Sequence, residues 1–380
     1  MNLVANQPLE GAVRPPIPPT TPWIGDILPG VAWVLDPAIA WSNPKAAKTY
    51  GLERAKQVVL ILVDGLGIAP LAGRLGYAAT LRTIGSEPTV GQTCAPSTTA
   101  AAITSFATGE TPGRTNMVGY SVRFNKAVMN LLNFRPGIVP ERWQIRPTFF
   151  ERLAEVGVVA DLFTAPKFES SGLTRAALRG ARFRGQETLQ GRFSDALAAL
   201  RSGVQLAFVY WADLDKVGHK SGPKSDAWAE ALEAFDSELG KFLSRLPNDV
   251  TVLMTADHGM VQVDRRVDIA EHADLSEGVE MIAGEGRAVH VHAYPDQAEA
   301  VTRRWLDHFG GEAWMFTRTQ MREVIGEGPG VHLMGDLLVM PKGSYVIVDS
   351  RTQPAAAIAM EGVHGSLTEE EMAVPIWRLA

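Results

Sequence analysis

Apolar and polar positions along this chain fall into two rhythms. Residues 58–63 are an unbroken apolar run ending in Asp64-Gly65, which predicts a strand buried on both faces. VVADLFTA, VQLAFVYWAD and VTVLMTAD repeat that pattern. Between the last two, Trp228, Leu232, Phe235, Leu239, Phe242 and Leu246 recur at helical spacing and predict a crossover helix with a core-facing stripe. Thr148 and Glu151 form a capping-box pattern before FFERLAEVG, and Gly157 closes that helix. Strands alternating with helices predict an α/β fold with a mainly parallel sheet.

The rhythm changes after Gly259. AVHVHAY, an amphipathic stretch near residues 298–308, then EAWMFTR, LLVMP and YVIVD predict a smaller mixed subdomain at residues 265–345. Residues 1–264 and 346–380 would then form the main domain. Proline-rich residues 13–22 read as an extended arm.

The 380 residues are 46% hydrophobic and 21% charged, which suits one large or two smaller globular units. A net charge of -6 without a basic block disfavours a nucleic-acid polymer as partner. The single cysteine, Cys94, cannot form an intrachain disulfide. No secretory leader pattern is visible at the N-terminus, so a cytoplasmic location is expected. No apolar run approaches the roughly 20 residues of a membrane span.

Acidic and imidazole side chains cluster at the ends of the apolar runs. Asp64 ends the first, where open α/β sheets bind ligands. Asp215 and His219 are four apart and can face one ion from a single helical turn, with Asp213 as a competing carboxylate. Asp257 and His258 are adjacent and can share an ion only if the chain turns, as Gly259 would permit. His364 stands in EGVHGSLTEEEM, before an expected helix. Each of these alone is equally well explained as a cap or a surface residue. Together they suit a two-metal phosphoryl-transfer centre.

Residues 100–107 read as a short helix stopped at Thr108-Gly109, which puts Thr98 and Thr99 at its start. The N–H groups there favour phosphate oxygens, and Thr99 is the candidate nucleophile. Cys94 is a weaker rival, lacking a positive neighbour. GLGIAP partly matches a dinucleotide fingerprint with Glu87 as its acid, but Pro70 replaces the third glycine and no strand leads to Glu87. The remaining histidines, His272, His290, His292, His308 and His332, read as residues of the smaller subdomain. Only His290 and His292 have ligand spacing, and alternation puts both on one sheet face.

The strings LVDG, PSTT…TG, D-x-x-x-H with Gly222-Pro223 following, TADHGM and HGSLTEEEM run in this order from residue 58. They resemble the alkaline phosphatase superfamily, and most of all its type I phosphodiesterase/nucleotide pyrophosphatase branch. The resemblance implies an alkaline-phosphatase-like central sheet flanked by helices. It implies one divalent ion held by Asp64, Thr99, Asp257 and His258, and a second held by Asp215, His219 and His364. Zinc is usual there; manganese or iron is tolerated. A small phosphodiester or nucleotide substrate and a phospho-threonine intermediate on Thr99 are implied. Phosphomonoesterase and phosphonate hydrolase activities occur in the same superfamily, and a non-catalytic metal- or phosphate-binding protein is the alternative of another class. The branch often has an asparagine where Ala102 stands, and His-Gly where Thr115-Asn116 stands. Asn116 is the candidate substitute oxygen ligand.

Overall fold

The structure, a computed structural model, describes residue 12 and residues 19–380. Most of the proline-rich stretch therefore lies outside the described residues. The apolar runs form β1 (Gln57–Val63), β3 (Ala160–Thr164), β5 (Leu206–Trp211) and β6 (Val250–Thr255), joined by the shorter β2 (Thr89–Gln92) and β4 (Arg182–Gly185). Residues 58–63 are all buried, as a strand covered on both faces requires.

The helices lie between these strands. α1 (Thr99–Thr108) ends at Gly109, which adopts a left-handed conformation. α2 (Phe149–Glu155) carries the reciprocal capping box of Thr148 and Glu151, a feature worth about 1 kcal/mol. α3 (Leu189–Arg201) connects β4 to β5, and α4 (Asp213–Ser221) follows β5 directly. α5 (Asp226–Leu243) buries Trp228, Leu232, Phe235, Leu239 and Phe242, while Leu246 falls beyond its end.

A four-stranded antiparallel sheet follows, of β7 (Val279–Glu285), β8 (Ala288–Ala293), β9 (Ala313–Thr317) and β10 (Leu337–Pro341) in the order β7-β8-β10-β9. Its two faces go to different cores. Val289, Val291, Met315 and Val339 pack with Trp305 of α6 (Ala298–Phe309) in a core of their own. Trp314, Phe316, Leu338 and Met340 point the other way and join the main core. His290 and His292 alternate out of the first set and are buried.

The chain enters and leaves this region through Arg265–Asp268 and Tyr345–Val348, which pair in parallel. It then returns to the main sheet as β11 (Ala373–Arg378). The seven-stranded order is β2-β11-β6-β1-β5-β3-β4. Strands β6, β1, β5, β3 and β4 run parallel; β11 is antiparallel to both neighbours. The fold is thus α/β with a mostly parallel central sheet and smaller sheets beside it. No helix among the described residues is long and apolar enough to cross a membrane.

Candidate metal centre

The predicted acidic and imidazole residues converge at the carboxyl ends of β1, β5 and β6. Two groups form, Asp64 with Asp257 and His258, and Asp215 with His219 and His364; within each, one ligand atom per residue lies within 4.8 Å of the others. The chain turns after β6, so Asp257 and His258 do serve one group: the Asp257 carboxylate accepts from the His258 backbone N–H at 3.1 Å and from Gly65 N–H at 3.2 Å. Gly259 is required by close approach, since a Cβ there would sit 1.9 Å from the Glu370 carbonyl oxygen. Gly65, at φ 74°, turns the chain after Asp64 in a conformation that glycine adopts freely.

In the second group, Asp215 and His219 sit one turn apart on α4, with His219 Nε2 3.3 Å from Asp215 Oδ2. Gly362–Val363 pairs with Val261–Gln262 and brings His364 back to the end of β6. Its Nε2 lies 3.7 Å from Asp215 Oδ1. The helix expected after His364 exists only as the short Glu369–Met372, because β11 takes over.

Every imidazole here is oriented the same way. Nδ1 of His219, His258 and His364 is hydrogen-bonded to the carbonyl oxygen of Gly362, Gly259 and Ser97, at 2.8, 2.9 and 2.8 Å. Donation from Nδ1 leaves the Nε2 lone pair facing the carboxylates, the tautomer a metal ligand needs. Tyr210 donates its hydroxyl proton to Asp64 Oδ2. Asp64 Oδ1, Asp215 Oδ1 and Asp257 Oδ2 are buried and have no hydrogen-bond partner among the described residues.

Burial and the charges of Asp257 and Asp215 hold the Asp64 carboxyl well above the usual range. Burial also raises Asp257. His364 is held well below the ordinary histidine value by burial and by His258. Three orphaned carboxylate oxygens facing the Nε2 atoms of three imidazoles are the arrangement a pair of divalent cations would satisfy. The buried Asp and His groups can therefore bind metal.

Thr99 opens α1 with its hydroxyl 3.2 Å from His258 Nε2. Thr98 is the N-cap residue, yet its side chain makes no capping bond. Its hydroxyl is beside the Glu285 carboxyl, which burial pushes up to about 8. No local pattern in the sequence gives this contact, since Glu285 belongs to the smaller sheet. Cys94 is buried, and burial raises its thiol to about 12, so it is unreactive at neutral pH.

Thr99, Asp64, Asp215 and His219 line a cavity of about 640 Å³ together with Asn133, Lys167, Phe168, Arg192 and Lys216. Asp213 stands on its wall but in neither ligand group. Asn116 is not among the lining residues. It adopts φ 64° at the end of Pro112–Thr115 and donates its side-chain N–H to the Trp143 carbonyl at 3.0 Å. Arg192 is committed to the carbonyls of Gln186, Glu187 and Tyr210.

Comparison with known proteins follows the same lines. The model of the family described as type I phosphodiesterase / nucleotide pyrophosphatase matches residues 58–367. The human ectonucleotide pyrophosphatase/phosphodiesterase family member 5 is 27% identical over 126 residues, which is 27% of this chain and 26% of that protein. The aligned part thus spans about a quarter of that relative. The murine ectonucleotide pyrophosphatase/phosphodiesterase 5, solved in an inactive form in complex with AMP, superimposes with a TM-score of 0.68 at 13% identity, covering 84% of this chain and 87% of that one. The phosphonoacetate hydrolase of Sinorhizobium meliloti 1021, solved with phosphonoformate, gives 0.64 at 16% identity, covering 84% and 89%. At these identities the structural likeness speaks for the fold.

Proposed function

The chain belongs to the type I phosphodiesterase / nucleotide pyrophosphatase family, and on that premise we propose that it hydrolyses phosphodiester or nucleotide pyrophosphate bonds through a phospho-threonine intermediate. The observation that carries this reading is the Thr99 hydroxyl, 3.2 Å from His258 Nε2 at the wall of a cavity shared with both ligand groups. Two divalent ions, zinc by preference, would be held by Asp64, Thr99, Asp257 and His258 and by Asp215, His219 and His364; bound there, they supply the Lewis acidity that lowers the threonine pKa and offsets charge on the leaving oxygen.

The chain's own groups account for the rest. Thr99 Oγ attacks phosphorus in line, and the bond to the leaving oxygen breaks. The N–H groups at the start of α1 face the phosphoryl oxygens, where the helix dipole favours negative charge. Water then cleaves the phospho-threonine and restores the hydroxyl. Tyr210 keeps Asp64 oriented, and the three backbone carbonyls keep the imidazoles in register.

The cavity suits a substrate with more than one anionic group. Phe168 offers an aromatic face, and Lys167 and Lys216 offer charge. That set fits a nucleotide pyrophosphate, in keeping with the AMP held by the murine relative. Arg114, the nearest arginine in sequence to the nucleophile, pairs with Glu110 at 2.9 Å and does not line the cavity. A monoester dianion would lack a guanidinium clamp on its third free oxygen. Because the same two lysines could also hold a small phosphonate or monoester, hydrolysis of such a substrate is the second reading.

Metal-reconstituted protein assayed on a matched aryl diester, an aryl monoester and a nucleoside triphosphate separates these. The expected result is a higher kcat/KM for the diester or the triphosphate. A tenfold preference for the monoester would overturn the first reading.

A further inference from the structure

Where the helices beside the smaller sheet meet, His272, Asp274 and His308 approach one another, one ligand atom of each lying within 4.8 Å of the others. The sequence separates the first two from the third by more than thirty residues, so spacing alone gives no hint of it. His272 joins the turn Ile269–Glu271 to the short helix Ala273–Ser276, and His308 is in the last turn of α6.

The backbone that carries them is fixed by contacts outside the cluster. Leu275 and Trp305 are completely buried, and Trp305 Nε1 donates to the Leu275 carbonyl at 3.1 Å. Arg304 donates to the carbonyls of Asp274 and Glu277. The two segments therefore hold their separation whether or not anything binds. The His272 and His308 rings meet edge to face, with centroids 4.8 Å apart. His308 Nδ1 is 2.6 Å from Asp274 Oδ2.

We propose that these three residues form a further metal site, separate from the catalytic centre, for a first-row transition cation of the zinc class. Two imidazole nitrogens and one carboxylate oxygen are a borderline donor set. Such a set selects zinc, nickel, cobalt or copper over magnesium or calcium, which prefer oxygen alone. Tetrahedral zinc places its donors roughly 3.3 Å apart, so side-chain shifts of up to about 1.5 Å complete the site. The alternative is a plain His–Asp pair. It explains Asp274 and His308 but leaves the second imidazole at His272 without a role.

Bound metal ties residues 269–276 to α6. Three protein donors leave at least one coordination position for water. The site is on the surface, with the Asp274 side chain 48% exposed and His308 23%, so its ion exchanges more readily than the buried pair.

Zinc titration of chelator-stripped protein, followed by competition with a chromophoric chelator, tests this. Wild type is expected to bind two ions tightly and a third with micromolar affinity. H272A/H308A should lose the third alone, and its hydrolytic turnover at saturating zinc should match wild type. In a D64A/D215A background, which removes a ligand from each catalytic group, micromolar zinc should still raise the melting temperature, and adding H308A should cancel the rise. D274N gives a second route if the double histidine variant folds poorly, and it should weaken the third ion at least tenfold. Equal stoichiometry and affinity in wild type and H272A/H308A, or a third event only at millimolar zinc, would overturn the proposal.

Discussion

His258 and His364 lie face to face, with ring centroids 3.6 Å apart and planes 16° from parallel. Each belongs to a different ligand group, so the stack is where the two halves of the centre touch. Burial first, and then the closeness of His258, hold His364 well below the ordinary histidine value. The stripped site thus presents His364 as a neutral imidazole beside two carboxyls, Asp64 and Asp257, that hold protons more readily than usual.

Metal affinity should therefore depend on pH through the acids, not through His364. Asp64 and Asp257 have raised values in the fold, so protons compete with cations until the pH passes those values. Zinc affinity of the stripped protein should climb with pH, on the order of tenfold per pH unit for each proton displaced. Calorimetric titration at several pH values measures it; a flat profile between pH 5 and 8 would contradict the proton competition.

Thr99→Ala should reduce turnover by at least about a thousandfold with the fold intact, since an attacking atom has no substitute. Circular dichroism and the melting temperature report the fold. Thr98→Ala removes only a hydroxyl beside Glu285 and should cost less than about tenfold, at most the worth of one hydrogen bond. Reversal of that order would move the nucleophile to Thr98.

Tyr210→Phe keeps the ring and removes the donor to Asp64. Loss of a hydrogen bond behind a metal-binding carboxylate typically weakens the ion by about 10- to 100-fold. Activity should be recovered at high metal concentration, which a metal titration of kcat would reveal. A defect that persists at saturation would give Tyr210 a different role.

The candidate centre is largely legible in the sequence because each piece has a local signature. Asp64 and Asp257 follow apolar runs that could only be inner strands, and Asp215 and His219 are one helical turn apart. Three strands of the central sheet are not legible. Arg182–Gly185 is short and mostly exposed, so it carries no apolar run, while Thr89–Gln92 contains Gly91 and Ala373–Arg378 contains Pro375, residues that weaken a strand signal and are tolerated only in context. Contacts made by long-range folding were equally hidden. Neither the approach of Glu285 to Thr98 nor the meeting of His272 with His308 leaves a trace in spacing, and the same holds for the bond from the Asn116 side chain to the Trp143 carbonyl.

Arg287 and Glu371 form a completely buried ion pair at 2.6 Å. Glu371 also accepts from the Ser366 backbone at 2.9 Å and from the Thr368 hydroxyl at 2.6 Å, which fixes the segment just after His364. Arg287→Ala strands the carboxylate and should cost about 3–5 kcal/mol. Chemical denaturation measures this, and Arg287→Met combined with Glu371→Gln should recover part of it.

His290 and His292 are buried and held down to about 3 and about 4. Burial is the main cause for both. Their folded values lie below the unfolded one of 6.5, so the unfolded chain takes up protons first as the pH falls. The stability they permit is intact above pH 6.5 and is lost as the pH drops toward 4 and then 3. The slope should reach about 1.4 kcal/mol per pH unit per histidine. His290→Gln should flatten the acid limb of a denaturation-midpoint profile relative to wild type, and an unchanged limb would exclude His290 as a contributor.

The parallel pairing of Arg265–Asp268 with Tyr345–Val348 means that the smaller sheet leaves and rejoins the main body at one place. A stretch whose two ends meet can be lengthened, trimmed or exchanged over evolutionary time without changing the gap its flanks must span. His258 and His364 lie outside that gap and would keep their stacking through such exchanges. The tip of the β7–β8 hairpin would not be free to vary in this way: Glu285 reaches Thr98 at the start of α1, and Arg287 anchors the segment after His364. Drift in the peripheral layer, with divergent specificity, is thus compatible with a constant reaction centre, provided those two side chains travel with the hairpin.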